Sequence, residues 1–275
     1  MSQNPLQKYF RQPKVYVSLP SKGIYSDPGA IINSSDQMPV MSMTGMDEIL
    51  LKTPDALMNG EATVKVIQSC CPNIKNAWEI SNLDLDLILA AIRIATYGNN
   101  MEVDHNCAHC GEENTYSIDL MKVIDHFTQC HYDNKVVLKE LTILIRPLNY
   151  KTMTEFSIRN FELQRQLSQG IGLEDDEAKS KLFTEIYEKL SVIQNDSYIA
   201  SIDSVQAPDA VVDERAWIAE WVLNSEKSIF EAIKEQIDKN NKTWAVPDMT
   251  VACQSCSKEN TISIQLDQSN FFAGV

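Results

Sequence analysis

Cys107-Ala-His-Cys110-Gly-Glu-Glu-Asn-Thr-Tyr-Ser-Ile-Asp-Leu120 and Cys253-Gln-Ser-Cys256-Ser-Lys-Glu-Asn-Thr-Ile-Ser-Ile-Gln-Leu266 are two copies of one pattern, C-x-x-C-x-x-E-N-T-x-S-I-x-L. Each C-x-x-C turn offers two thiolates to a metal and runs into an alternating, β-branched segment that reads as a strand. Two such half-sites complete one tetrahedral zinc site with Cys107, Cys110, Cys253 and Cys256 as ligands. A bond of this kind ties remote parts of the chain together and forces the residues between them into a closed excursion. Four thiolates fill the coordination sphere and leave no position for a reactive water, so the zinc reads as a structural staple whose binding is coupled to folding.

Three competing readings of the pattern are weaker. A thioredoxin-type C-x-x-C opens a helix in a βαβ unit, whereas both motifs here lie between strand-like segments. His105 and His109 flank the first turn and invite a Cys₃His site, but the matching positions of the second copy are Val251 and Ser255. A nucleic-acid-reading ribbon needs cations, yet Glu102, Asp104, Glu112, Glu113 and Asp248 stand around the knuckles against Lys258.

Composition points the same way. The 275 residues are 44% hydrophobic, enough for a real core, and carry a formal charge of −14, which disfavours nonspecific binding to phosphates or anionic membranes. No apolar run approaches the length of a bilayer span, and Met1 to Gln12 lacks the order of a signal peptide, so the chain is expected to fold in a cytoplasm. An odd count of seven cysteines in that setting argues for reduced thiols. Cys70, Cys71 and Cys130 read as small buried hydrophobes. No phosphate loop, H-E-x-x-H or G-x-S-x-G is present, and the acids 174–177 read as a solvated helix start, so the chain is expected not to be an enzyme.

Along the chain, Val15 to Pro20 reads as a strand with Met38 to Met43 as its partner. Thr53-Pro54-Asp55 reads as the start of a helix ending near Cys71, which Gly60 divides. Ser81 caps a helix that stops at Gly98 and is apolar around much more than one face, which predicts a central position. Asp84 and Asp86 read as a solvated helix start and not as a catalytic pair. Residues 100–147 read as mainly β, with Lys135 to Pro147 as a sheet extension. Helices are predicted from Lys151 to Gln169, Glu174 to Gln194, Val211 to Leu223 and Ser228 to Asp238, with a short strand at Tyr198 to Val205 and with Trp217, Trp221 and Phe230 as core anchors. The expected fold is α+β, mainly helical, with a split zinc-ribbon-like β module built from the two knuckle hairpins. Its domains are an N-terminal arm and helical region (1–99), a discontinuous β module (100–147 and 244–275) and a helical insertion (148–243).

Several segments add a resemblance. Leu19-Pro20-Ser21-Lys22-Gly23, the run from Met43 to Gly60 (M-T-G-M-D-E-I-L-L-K-T-P-D-A-L-M-N-G), Val66 to Pro72 and Ile92 to Gly98 are similar to the baseplate hub proteins of T-even-like contractile-tailed bacteriophages. The likeness is strongest over roughly 15–120 and looser beyond. It implies a non-catalytic hub subunit or hub assembly factor that binds other baseplate or tail proteins, made in the host cytoplasm and destined for the virion tail. A zinc-ribbon regulator binding nucleic acid is the alternative. Salt-dependent retention on DNA separates the two.

Overall fold

The computed structural model describes residues 4–32, 37–53, 58–171 and 175–264. It is a mixed α and β structure, about half helical. In chain order the elements are β1 (Pro13–Val17), β2 (Met38–Met41), α1 (Gly45–Leu51), α2 (Glu61–Cys70), α3 (Asn82–Tyr97), β3 (Asn100–Asn106), β4 (Glu113–Asp119), α4 (Leu120–Gln129), β5 (Lys135–Leu138) and β6 (Leu141–Ile145). There follow α5 (Tyr150–Gly170), α6 (Asp176–Ala200), β7 (Ile202–Gln206), β8 (Val211–Val212), α7 (Arg215–Asn224), α8 (Lys227–Trp244), β9 (Met249–Ala252) and β10 (Glu259–Ile262). The chain divides into two compact units, residues 1–130 with 244–275, and residues 131–243.

The first unit is organised by α3. Ser81 caps its start by accepting the Leu83 N–H, and Gly98, at φ 95°, ends it by donating its N–H to the Ile94 carbonyl. Between the caps, Leu85, Leu87, Ile88, Leu89, Ile92 and Ile94 are all buried, on more than one face, as the all-round apolar pattern predicts. Each fully buried side chain of this kind contributes about 1.5–3 kcal/mol of transfer free energy, so α3 is the main hydrophobic support of the unit. The antiparallel pair β1–β2 packs on it, which places the N-terminal arm in cis. A capping box, in which Thr44 and Asp47 bond reciprocally, starts α1. Gly60, left-handed at φ 79°, precedes α2 and so separates that helix from the preceding turn. The proposed helix start at Thr53-Pro54-Asp55 falls largely on 54–57, outside the described residues.

Asp84 departs from the sequence reading. It is not a solvated residue but is fully buried, accepting the Ser21 N–H at 3.0 Å and the Ser21 hydroxyl, so the turn after β1 is pinned to the first turn of α3. Burial pushes its carboxyl up to about 6 against the opposing effect of these two bonds, and burial pushes Asp86 up to about 6 as well. A second polar latch lies nearby. Arg11 donates to the carbonyls of Ser42 (2.5 Å) and Ser69 (2.6 Å) and approaches the buried carboxylate of Asp47 at 3.4 Å.

The segment 100–147 carries four strands, as expected, but also a helix. After the hairpin β3–β4, Asp119 caps a helix, α4, that the sequence reading passed over. Its buried Leu120, Val123, Ile124 and Phe127 follow the i, i+3, i+4, i+7 rule, so the signal was present. Phe127 stacks on Trp244 with ring centroids 6.4 Å apart, and the His126 Nε2 lies 3.0 Å from the Ala245 carbonyl oxygen. These contacts hold the returning chain beside α4 just before β9.

In the second unit, β5 and β6 form a hairpin that extends, through β6, to β7 and then β8, giving an antiparallel sheet of order β5-β6-β7-β8. Lys135 to Pro147 is therefore a sheet extension of β7 and not of the knuckle hairpins, because Thr142–Leu144 find their partners at Ser204–Gln206. Helices α5 and α6 make a long antiparallel hairpin around Leu163, Ile186 and Ile193. Gly170 allows its close approach, since a Cβ there would lie 2.7 Å from the Leu182 side chain. Of the expected core anchors, Trp217 is 64% exposed, and Phe230 meets Tyr198 edge to face at 6.0 Å. Among the described residues no helix is long and apolar enough to cross a membrane.

Candidate metal centre

The two knuckle hairpins fold alike. In β3–β4 the last pair before the turn is Asn106 with Glu113, followed outward by His105 with Asn114; in β9–β10 the corresponding pairs are Ala252 with Glu259 and Val251 with Asn260. The turns repeat each other bond by bond. Cys107 donates its N–H to the Glu112 carbonyl at 2.8 Å and Gly111 donates to the Cys107 carbonyl at 2.9 Å; Cys253 donates to Lys258 and Ser257 to Cys253, both at 2.9 Å. The residue after the second cysteine must be left-handed for this closure. It is Gly111 at φ 75° in one copy and Ser257 at φ 58° in the other.

This identical folding brings all four predicted ligands together. Their sulfurs lie within 4.8 Å of one another, with Cys107 to Cys256 and Cys110 to Cys253 each at 3.7 Å. A disulfide needs about 2.05 Å, so these are not bonded pairs. A tetrahedron with metal–sulfur bonds of about 2.3 Å has sulfur–sulfur edges of about 3.8 Å, which is close to the two crossed distances. The four cysteines can therefore hold one metal ion. Among the described residues the ligand cluster contains no histidine: His109 is exposed on the knuckle and the mixed Cys₃His arrangement does not form.

The sulfurs are surrounded by donors. Burial works against ionisation of Cys107, but the N–H groups of His109 and Cys110 and the Asn260 amide outweigh it and hold the thiol at about 5. For Cys253 the Cys256 N–H leads, against burial and with the Ser255 N–H, and the thiol is again lowered. Cys110 has the Glu112 N–H in its favour, but desolvation and the three neighbouring sulfurs push it up to about 12. Four such groups crowded together favour thiolates only when a cation shares their charge. Of the remaining cysteines, Cys70 and Cys71 are fully buried, and burial, the largest cause, pushes Cys70 up to about 11, whereas Cys130 is only half-buried and donates its thiol to the His126 carbonyl at 3.3 Å.

Two residues escaped the sequence reading, Asn114 and Asn260. Both are buried, and each reaches across to the opposite knuckle. The signal was in view, since they are the same position of the repeated E-N-T tail. Around the centre, the acids Glu102, Asp104, Glu112 and Glu113 are exposed together with Lys258, and Asp104 accepts the Thr115 hydroxyl at 2.6 Å.

Two thiol knuckles from remote parts of the chain thus bring four cysteines into one cluster that is compatible with a metal site. Over residues 37–273 the chain matches the family described as T4 bacteriophage base plate protein, and it belongs to that family. The match runs through both knuckles, well past the 15–120 region in which the resemblance was strongest. It gives the chain a structural place in the phage tail baseplate among other tail proteins. Neither curated proteins nor solved structures provide a significant match.

Proposed function

We propose that this chain is a non-catalytic subunit or assembly factor of the hub region of a contractile phage baseplate, folded in the host cytoplasm and stapled by one structural zinc on Cys107, Cys110, Cys253 and Cys256. The family match supports the baseplate role, and the sulfur cluster is the observation that supports the staple. Zinc is the ion that four thiolates in a tetrahedron favour, and it brings no redox chemistry of its own. On this reading β3–β4 and β9–β10 are the two halves of a split zinc ribbon, the arm and helices before residue 100 are its support, and the excursion is an inserted body presented to partners.

Work by contact is consistent with the surface. The chain is strongly acidic, and acids outnumber cations around the knuckles, which disfavours the nucleic-acid-binding alternative. The test is an affinity pull-down of tagged protein from infected cells, with the co-purifying proteins quantified by mass spectrometry. Recovery of hub and other tail proteins, insensitive to nuclease, is the expected result. Recovery of nucleic acid that is released by salt, without tail proteins, contradicts the proposal.

A further inference from the structure

Each knuckle carries a buried asparagine that serves its own turn and the opposite one at once. The Asn114 Oδ1 accepts the Gln254 N–H at 2.9 Å, while its Nδ2 donates to the Glu112 carbonyl of its own knuckle at 2.9 Å and faces the Cys253 sulfur at 3.6 Å. The Asn260 Oδ1 accepts the Ala108 N–H at 3.0 Å, while its Nδ2 donates to the Lys258 carbonyl at 3.1 Å and faces the Cys107 sulfur at 3.4 Å. Both amide hydrogens and the amide oxygen are used in each case, so neither buried group is left unsatisfied. Only a side chain of this length with a donor and an acceptor on one carbon can make all three contacts.

We propose that Asn114 and Asn260 are reciprocal positioning residues that join the two half-sites before an ion arrives and aim Cys107 and Cys253 into ligand geometry. The proposal rests on the metal-site reading above. It adds that the centre is a preformed cradle, in which protein–protein hydrogen bonds join the hairpins and the ion tightens them. An N–H donated to a thiolate also lowers the charge that the ion must balance, which is how groups one bond beyond the ligands tune metal affinity. Other bonds cross between the hairpins, such as the Tyr116 hydroxyl to the Ala252 carbonyl at 3.2 Å, but that bond does not reach a sulfur and has no counterpart at Ile262.

The test uses the full chain, reduced and stripped of metal, titrated with cobalt(II) against a competing chelator. Sulfur-to-cobalt charge-transfer and d–d bands report tetrahedral thiolate binding. Hydrogen exchange at the Ala108 and Gln254 amides, without metal, reports the brace. Asn114→Ala and Asn260→Ala are expected to weaken cobalt binding by about 10–100-fold each and to expose the amide that each normally holds. Asn114→Asp keeps the acceptor for Gln254, and so the join between hairpins, but removes the donor to sulfur; it is expected to fold and to bind cobalt more weakly. Tyr116→Phe is expected to leave the cobalt affinity unchanged. Unaltered affinity and protection in the asparagine variants, or an equal loss in Tyr116→Phe, overturns the proposal. If the unaltered protein shows no thiolate–cobalt bands, the metal reading fails instead, and the exchange data alone then decide whether the brace exists.

Discussion

The first unit is tied together by two buried polar devices of different kinds. The knuckle pair joins residues 107–110 to 253–256 through amide groups and a cluster of four sulfurs that can hold a cation. The latches around α3 join the N-terminal arm to the helices through carboxylates: Ser21 to Asp84, and Arg11 to Asp47 and Ser69. These are complete within the chain and need no ion. On the proposed reading, tightening of the knuckle pair depends on metal supply, whereas attachment of the arm depends on protonation and on one arginine. The two devices should therefore fail under different treatments.

The largest effect is expected at the sulfurs. Cys107→Ser or Cys253→Ser should abolish metal binding and destabilise the first unit by at least about 5 kcal/mol, read by denaturant unfolding, and the two losses should be alike because the hairpins are equivalent. A clear inequality would break the symmetry between knuckles. Next, Arg11→Ala leaves the Asp47 carboxylate, 7% exposed, with only Thr44 and Ser69 to satisfy it, and should cost about 2–3 kcal/mol while leaving metal content unchanged.

The pH dependence has a definite sign. Asp84 titrates near 6 in the folded chain, above its ordinary value of 3.8, so the folded state binds the extra proton between those pH values. Stability contributed by this group is present at low pH and is lost as pH rises from about 4 to about 6, by something on the order of 1–3 kcal/mol. Asp84→Asn should remove this group's share of that slope in paired unfolding curves and leave the share of Asp86, which burial also pushes up to about 6, while the knuckle variants should retain both. The smallest effect concerns the left-handed position of the turns, which is glycine in one copy and serine in the other. Ser257→Gly should stabilise by about 1 kcal/mol, and Gly111→Ala, which meets no neighbouring atom, should destabilise by about the same amount through its backbone alone.

The knuckles and their hairpins were legible because a repeated motif is local information: ligand type, turn and strand alternation all sit within a dozen residues. The buried character of α3 was legible for the same reason. What was hidden depends on partners remote in sequence. Asp84 resembles any acid in a first helical turn until Ser21 arrives to cover it. The register of β6 against β7 pairs residues separated by two long helices, and nothing near Thr142 or Gln206 specifies it. Helix α4 was missed for a different reason, since its periodicity was readable but lay between two strand-like segments that set the expectation. Trp217 shows the limit of reading aromatics as core, because it is exposed while Trp221, in the same helix, is half-buried.

The central claim is that one ion is held by all four sulfurs. Elemental analysis of the purified, reduced protein, paired with thiol titration before and after chelation, tests it most directly. The account predicts one zinc per chain, four thiols that become reactive only when the zinc is removed, and loss of the metal in both Cys107→Ser and Cys253→Ser. Folded protein without bound metal, or metal retained in either variant, would contradict it.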